Sequence, residues 1–290
     1  MQGNHVMVSR RTAVRRLLAA VALPCALLLG GPALAGDGDA PAGDGDAPAE
    51  SLLPADAPSP ESPEFLRYVM NRVDDLYRGR SSHGVMEMKV KTQHWSRTMV
   101  LESWSLGTEY SLVRILIPMK EKGTATLKAG DDLYTYLNKT RRTIKISGAM
   151  MGASWMGSHF TNDDLVKDSR YSDDFDVALT GRGDAEGAAT YEFTLTPKPD
   201  AAVVWGKVTV TIRQADLLPV SQVFYDEDGA AVRKLEFKEY KTVSGRTMPT
   251  VMKMTPLDQS GEYTQVAWKK MAFDVALEPS FFTLQRLKSI

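Results

Sequence analysis

The chain has 290 residues, of which 43% are hydrophobic and 24% are charged, and this balance is typical of a globular protein with one large domain or two small ones. The formal net charge of −1 argues against nucleic acid as a partner, because binding a polyanion requires concentrated positive charge. Beyond the N-terminal region, no apolar run reaches the roughly 20 residues that a membrane-spanning helix needs. We therefore expect a globular protein without an integral membrane span.

The N-terminus has the three parts of a secretory signal peptide. Arginines within residues 10–16 form a basic region, residues 17–29 form an apolar region, and Ala33-Leu34-Ala35 is a small-residue cleavage site. We expect residues 1–35 to be removed on export to the periplasm, by either the general or the twin-arginine route. Cys25, the only cysteine, lies within this segment, so the exported chain is expected to lack disulfides and reactive thiols.

Residues 36–61 have the composition of a linker. They contain a near duplication of GDGDAPA and almost no large apolar side chains. Such a segment cannot bury enough surface to offset the entropy lost on ordering, and it is predicted to be a disordered tether. Its aspartates lack the glutamate and the flanking helices of a calcium loop. No comparable linker interrupts residues 62–290, which are predicted to form one domain.

A helix start follows the tether. Ser62 is a favourable N-cap, Pro63 suits the first helical position, and Glu64 complements the positive end of the helix dipole. Apolar residues then recur at helical spacing over residues 66–77, until Gly79 ends the pattern. This spacing predicts an amphipathic helix of about four turns with one covered face.

Beyond this helix the apolar period shortens to about 2, which predicts an antiparallel meander. The predicted strands lie near residues 86–90, 97–104, 111–117, 124–128, 133–137, 171–180, 189–196, 203–213, 219–225, 232–240, 247–255 and 264–273. Asp228-Gly229 marks a hairpin between two of them. A sheet of about eleven or twelve strands must curl, so the sequence predicts an incomplete barrel with an apolar concave face.

Residues 141–166 fit neither a regular helix nor a regular strand. Met150, Met151, Trp155 and Met156 stand there among glycines that loosen the backbone. Methionine is unbranched and polarizable, and it adapts to apolar partners of variable shape. Two interpretations stay open for this segment: a mobile lid over an apolar ligand, or a plug that fills one end of the core.

Four aromatic residues, Trp95, Trp104, Tyr134 and Tyr136, lie in or beside predicted strands. Side-chain alternation turns some of them toward the concave face, which makes them candidates for lining a lipid-binding cavity. Ordinary core packing is the alternative for each. Their parity along the strands does not by itself decide which face is concave.

Other polar residues suggest anchoring rather than catalysis. Arg97 and Arg114 lie within apolar strands and are candidates for holding a polar head group, with solvent exposure as the alternative. The pairs Asp131-Asp132, Asp163-Asp164 and Asp173-Asp174 stand where turns and caps favour aspartate. HExxH, paired cysteines and the Gly-x-Ser-x-Gly elbow are all missing. We therefore predict no catalysis, no metal site and no cofactor.

Several motifs resemble the outer-membrane lipoprotein-sorting proteins of the LolA-like family. They are LYRG with SS at 76–82, WSRT at 95–98, LExWS at 101–105, KEKGTA at 120–125, and RTIKI followed by MM, SWMG and FTNDDLV at 142–166. Together these motifs cover about residues 64–170, and the second half of the chain follows the family's strand-rich pattern more loosely. The motif GxxLYxY at 130–136 also resembles the central strands of the classical periplasmic lipoprotein carriers, which are more distant relatives.

The resemblance implies a mainly β fold: an unclosed half-barrel of about eleven antiparallel strands, with short helices covering the concave face. It also implies a periplasmic carrier that binds lipid or lipoprotein acyl chains non-covalently and moves them toward the outer membrane, together with an inner-membrane transporter or export complex. The alternative is an accessory or regulatory protein that docks on an inner-membrane transporter or anti-sigma partner, because this fold hosts more than one function.

Overall fold

The computed structural model describes residues 56–60, 62–76, 79–165, 171–199, 201 and 203–289. The predicted signal peptide and most of the predicted tether lie outside these residues. The helices described are α1 (Pro63–Asp75), α2 (Tyr171–Asp174) and α3 (Leu284–Lys288). Short 3-10 turns connect several of the other elements.

The strands form one antiparallel sheet that does not close into a barrel. They are β1 (Ser81–Lys91), β2 (Ser96–Leu106), β3 (Tyr110–Ile117), β4 (Ala125–Ala129), β5 (Asp132–Leu137), β6 (Arg142–Lys145), β7 (Phe175–Ala185), β8 (Ala188–Pro197), β9 (Lys207–Arg213), β10 (Pro219–Tyr225), β11 (Ala231–Val243), β12 (Arg246–Pro256) and β13 (Tyr263–Phe273). The predicted fold class, a mainly β open half-barrel, is confirmed.

The strand order explains how the chain fills the sheet. It runs β6-β5-β4-β3-β2-β1-β13-β12-β11-β10-β9-β8-β7, so β1 lies in the interior and β6 and β7 are the two edges. The first six strands build outward to one edge. The next strand starts at the opposite edge, and the remaining strands build back until β13 pairs with β1. The chain must therefore cross the sheet once, between β6 and β7.

Two local predictions are corrected by the structure. Residues 142–145, which we predicted to be irregular, form β6 by pairing with β5, for example Leu137 with Arg142. Four residues are too few for alternation to reveal a strand. Residues 171–174, predicted as the start of a strand, form α2, because the Tyr171 amide donates to the Asp74 carboxylate (2.9 Å) and the Tyr171 ring is buried in the core.

Helix α1 covers one face of the sheet, as its amphipathic pattern predicts. Phe65, Val69, Met70 and Val73 are buried on its covered side. Ser62 precedes the helix, and its carbonyl accepts from the Phe65 amide (3.1 Å), but its hydroxyl makes no capping hydrogen bond. The position of the helix is therefore determined by its apolar side chains rather than by its cap.

Side-chain alternation gives the sheet two faces that pack differently. The inner face is the one covered by α1 and by residues 146–165, which we call the crossover, and it carries the larger apolar core. The outer face carries a smaller cluster on β2 to β5, against which residues 277–287 of the C-terminal segment pack. This division decides which side chains face the crossover.

Candidate functional site

The inner core is rich in methionine. Eight buried methionines belong to it: Met70, Met86, Met88, Met99, Met248, Met252, Met254 and Met271. Apart from the one on α1, they are spread over β1, β2, β12 and β13, and Met86 and Met252 line the space beneath the crossover. Thioether side chains are flexible and polarizable, and a core built from them can repack more easily than one built from branched residues.

A small cavity lies between the crossover and the sheet. Its volume is about 60 Å³. Its lining is apolar apart from one carboxylate, and consists of Met86, Val113, Trp155, Phe160, Asp164, Leu165, Met252, Val266 and Trp268. The two layers therefore meet closely while leaving unfilled apolar space at their centre.

Trp155 of the crossover is buried against the sheet. Only 5% of its surface is exposed, and its side chain belongs to the inner core. Its indole Nε1–H donates to Thr126 Oγ1 on β4 (3.1 Å), and its backbone amide donates to the Phe160 carbonyl within the crossover (2.8 Å). In this arrangement the Trp155 side chain fills part of the inner core. A filled core of this kind agrees with the plug interpretation, whereas the lid interpretation requires the crossover to move.

Arg97 ties the crossover to β2. Its side chain lies on the inner face, since its strand position is opposite Val90, and one guanidinium nitrogen donates to the Met156 carbonyl (3.0 Å). The same guanidinium pairs with Glu121. Met156 (φ 50°) and Gly157 (φ 71°) are both left-handed, and this turn presents the Met156 carbonyl to Arg97. A non-glycine residue in that conformation is strained, and such strain is often found in functional segments.

His159 ties the crossover to β13. Its backbone amide donates to Thr264 Oγ1 (2.9 Å), its Nδ1 lies 2.9 Å from the same hydroxyl, and its Nε2 lies 3.0 Å from Glu262. The second Glu262 oxygen accepts from the Gln93 amide (2.9 Å). The hydrogen bond from His159, followed by that from Gln93, lowers the pKa of Glu262 below its ordinary value. Glu262 therefore holds the crossover as a carboxylate.

Asp164 ties the crossover to β11 through a buried ion pair. Its oxygens accept from the Arg233 guanidinium at 3.0 and 3.2 Å, and both side chains are almost fully buried. The guanidinium lies over the rings of Trp205 and Phe224, at 4.6 Å from each centroid. Asp164 also accepts from the Thr161 amide (2.6 Å), which shapes the last turn of the crossover. Contacts of a charge with aromatic rings compensate part of its desolvation.

The remaining crossover methionines lie nearer the surface. Met150 is 39% exposed, and its carbonyl accepts from Asn162 Nδ2 (3.0 Å). Met151 and Met156 are half-buried, and only Met156 packs against the inner core. Trp95 is 44% exposed at the β1–β2 turn, close to Gly157 of the crossover. The three methionines lie at the margin of the crossover and Trp95 lies beside it, and none of the four residues lines the cavity.

Four of the predicted site residues lie on the outer face instead. Trp104, Tyr134 and Tyr136 belong to the outer cluster beneath the C-terminal segment. Arg114 lies over the Trp104 ring (4.9 Å to the centroid) and pairs with Glu102 on β2 (2.7 Å). Alternation along β2 to β5 places these side chains opposite to those that contact the crossover. The structure therefore does not bring them together with Trp155 and Arg97.

Several residues at the site were not found from the sequence. Glu262, Thr264 and Arg233 gave no local signal, because each meets the crossover across a long stretch of chain. The strand methionines did give a signal, since Met86 and Met252 recur with period 2 among apolar residues. A methionine-rich inner face was thus readable from the strands, not only from the crossover.

Among the described residues, no helix combines the length and the apolar character needed to cross a membrane. The same residues bring no three histidine, cysteine, aspartate or glutamate side chains together as potential metal ligands. The polar groups at the site are instead paired with one another, and they serve to hold the crossover.

One family model matches this chain. A model described as an uncharacterized protein matches residues 107–289, which is more than half of the 290 residues. The chain belongs to this family. No curated protein sequence matches it significantly.

Solved structures share the fold. A DUF1329 family protein from Desulfovibrio piger is 24% identical with a TM-score of 0.68, covering 76% of this chain and 96% of that one. A putative outer membrane lipoprotein-sorting protein domain from Vibrio parahaemolyticus is 24% identical with a TM-score of 0.67, covering 78% and 99%. A LolA superfamily protein from Nitrosomonas europaea is 21% identical with a TM-score of 0.63, covering 76% and 98%. The resemblance to the LolA-like family is confirmed at the level of the fold.

The buried Asp164–Arg233 pair predicts a specific loss of stability. In Asp164→Asn, Arg233 stays buried without its counter-ion, and breaking such a pair lowers the free energy of unfolding by about 3 kcal/mol or more. The matched control is Glu239→Gln, which removes the exposed partner of Lys241 (2.7 Å) and is expected to lower it by less than about 1 kcal/mol. Urea unfolding measures both changes, and equal losses in the two variants would contradict the role assigned to Asp164.

The Glu262 contact predicts that the crossover loosens in acid. Because the folded protein lowers the pKa of Glu262, this contact contributes fully above the ordinary value of 4.5 and is lost as the pH falls through the lowered pKa. Hydrogen exchange of residues 155–162, corrected for the intrinsic effect of pH, should show protection falling below that pH. Glu262→Gln should have low protection throughout and lack this transition. A transition that persists unchanged in the variant would assign it to another group.

Proposed function

We propose that this protein is a carrier that binds lipid or lipoprotein acyl chains non-covalently between the sheet and the crossover. The observation that carries the proposal is the methionine-rich inner core beneath a segment attached at a few points. Flexible thioether side chains let such a core accommodate acyl chains of different length and shape. Hydrophobic burial supplies the binding free energy, at about 0.8 kcal/mol for each methylene removed from water.

Binding of an acyl chain requires the crossover to move. The cavity of about 60 Å³ is well below the roughly 300 Å³ at which small-molecule sites begin. In the described part of the crossover beyond Ile146, side-chain contacts rather than a strand ladder join it to the sheet. These contacts are made by Thr126, Arg97, Arg233 and the Glu262–Thr264 pair. Lifting the crossover breaks them and leaves every strand pairing of the sheet intact.

The predicted crossover residues have distinct roles in this proposal. The acyl chain takes the place of the Trp155 indole, while Met151 and Met156 repack at the border. Arg97 loses the Met156 carbonyl when the crossover lifts, and the nitrogen that held it, Nη1, then becomes available to a polar head group while Nη2 stays paired with Glu121. Met150 and Trp95 stay at the outer border of the opening. Trp104, Tyr134, Tyr136 and Arg114 take no part, because they face the other side of the sheet.

The N-terminus and the fold support a periplasmic setting for the carrier. Residues 1–35 have the pattern of a cleavable export signal, which supports a periplasmic location. The Vibrio structure with the same fold is described as a putative outer membrane lipoprotein-sorting protein domain, and this supports cargo movement toward the outer membrane. In this proposal, cargo is received from an inner-membrane transporter or export complex, and the carrier needs no cofactor.

A disulfide across the crossover tests the proposal. The His159 backbone amide lies 2.9 Å from Thr264 Oγ1, so His159→Cys combined with Thr264→Cys is expected to bridge β13 and the crossover. The oxidised double variant should take up a fluorescent fatty acid at least about tenfold more weakly than its reduced form, because a closed crossover leaves too little volume. Each single variant is the control for the substitutions themselves. Equal uptake by the oxidised and reduced forms would contradict the proposal.

A further inference from the structure

One end of the half-barrel carries a concentration of positive charge. Residues 117–122 and 137–142, which we call the basic rim, comprise the β3–β4 and β5–β6 connections with the adjoining strand ends. Because β3 to β6 are consecutive antiparallel strands, both connections lie at the same end of the sheet. Asn138 Nδ2 donates to the Lys122 carbonyl (2.9 Å) and joins them. The cations of the rim are Lys120, Lys122, Lys139, Arg141 and Arg142.

This charge is largely uncompensated. Glu121 is the only acidic residue of the rim, and it is paired with Arg97 and lies 3.9 Å from Lys120. Within the part of the chain that the structure describes, the other four rim cations are exposed and have no carboxylate at ion-pair distance. The whole chain has a formal net charge of −1, so the rim is a local excess rather than a general property.

Exposed apolar side chains stand among these cations. Met119 is 74% exposed, Ile117 is 53% exposed and Leu137 is 36% exposed. Met119 lies at the turn after β3, with Lys120 and Lys122 immediately beyond it. Apolar side chains flanked by lysine and arginine suit the boundary of an anionic bilayer, where the apolar groups enter the head-group region and the cations meet phosphates.

We propose that the basic rim docks this protein on an anionic phospholipid surface, with Met119 entering the interfacial layer. Charge complementarity selects this partner. The rim offers no aromatic side chains on which nucleic-acid bases would stack. Its apolar residues stand at two strand ends, Ile117 and Leu137, and in one connection, Met119, rather than along a groove for a peptide. The proposal concerns where the protein docks and holds independently of what the inner core carries.

The rim is also connected to the crossover. Glu121 of the rim pairs with Arg97, and Arg97 donates to the Met156 carbonyl of the crossover (3.0 Å). A protein docked by its rim therefore presents the Met156–Gly157 turn near the membrane. This placement brings the opening of the inner core close to a source or acceptor of lipid.

Vesicle co-flotation of the chain purified after export tests the proposal. We expect binding to vesicles of phosphatidylglycerol mixed with phosphatidylcholine, weakened by salt, and little binding to phosphatidylcholine alone. Replacing Lys122, Lys139, Arg141 and Arg142 with Gln should weaken binding by at least about thirtyfold, since each cation near an anionic surface contributes about fivefold. The matched control, with the same change in net charge, replaces the exposed Lys238, Lys241, Lys269 and Lys270 with Gln and should bind like the wild type.

A second variant separates insertion from charge. Met119→Ser changes a single exposed side chain, and we expect it to fold normally and to weaken vesicle binding about tenfold. Equal weakening in the rim variant and the matched control would overturn the proposal. Wild-type binding that is equally strong to anionic vesicles and to phosphatidylcholine alone would overturn it as well. Uptake of a fluorescent fatty acid without vesicles should be unchanged in both rim variants, so a failure of docking is distinguishable from a failure of carriage.

Discussion

The organisation of this protein depends on one topological constraint. The chain reaches one edge of an open sheet at β6 and must restart at the other edge with β7. Because α1 already covers part of the inner face, the connecting segment lies over what remains of it and buries Trp155 there. Large contiguous apolar surfaces are rarely left exposed to solvent. The crossover therefore covers the inner core while being fixed covalently at its ends and by side-chain contacts between them.

These contacts differ in kind from the rest of the fold. Strand ladders hold the sheet together, whereas the crossover is held by a few charged or hydroxyl groups at its margins and one indole at its centre. Elements with few backbone hydrogen bonds open at lower free energy than the global fold. The methionine-rich core below is suited to such opening, since its side chains adapt when a neighbour leaves. The groups that hold the crossover closed are thus different residues from the methionines that can adapt beneath it.

Much of the fold is readable from the sequence, because alternation and helical spacing are local signals. β10 (Pro219–Tyr225) begins and ends where the pattern indicates, and α1 forms where the helical spacing predicts it, with Val69 and Val73 of the predicted stripe buried. Alternation shows which side chains of a strand share a face but not which face is the inner one, so it does not separate Trp104 and Tyr136 from residues that face the crossover. The pairs that hold the crossover join residues 69 and 103 positions apart, and no local pattern reveals them.

The central claim is that the inner core beneath the crossover holds acyl chains. Native mass spectrometry with lipid extraction, on the protein purified from the periplasm without detergent, tests it most directly. We expect a stoichiometric bound phospholipid or acylated peptide that is lost when the crossover is locked before loading. A protein that is uniformly free of lipid, and that takes up no acyl chain when lipid is supplied, would contradict it.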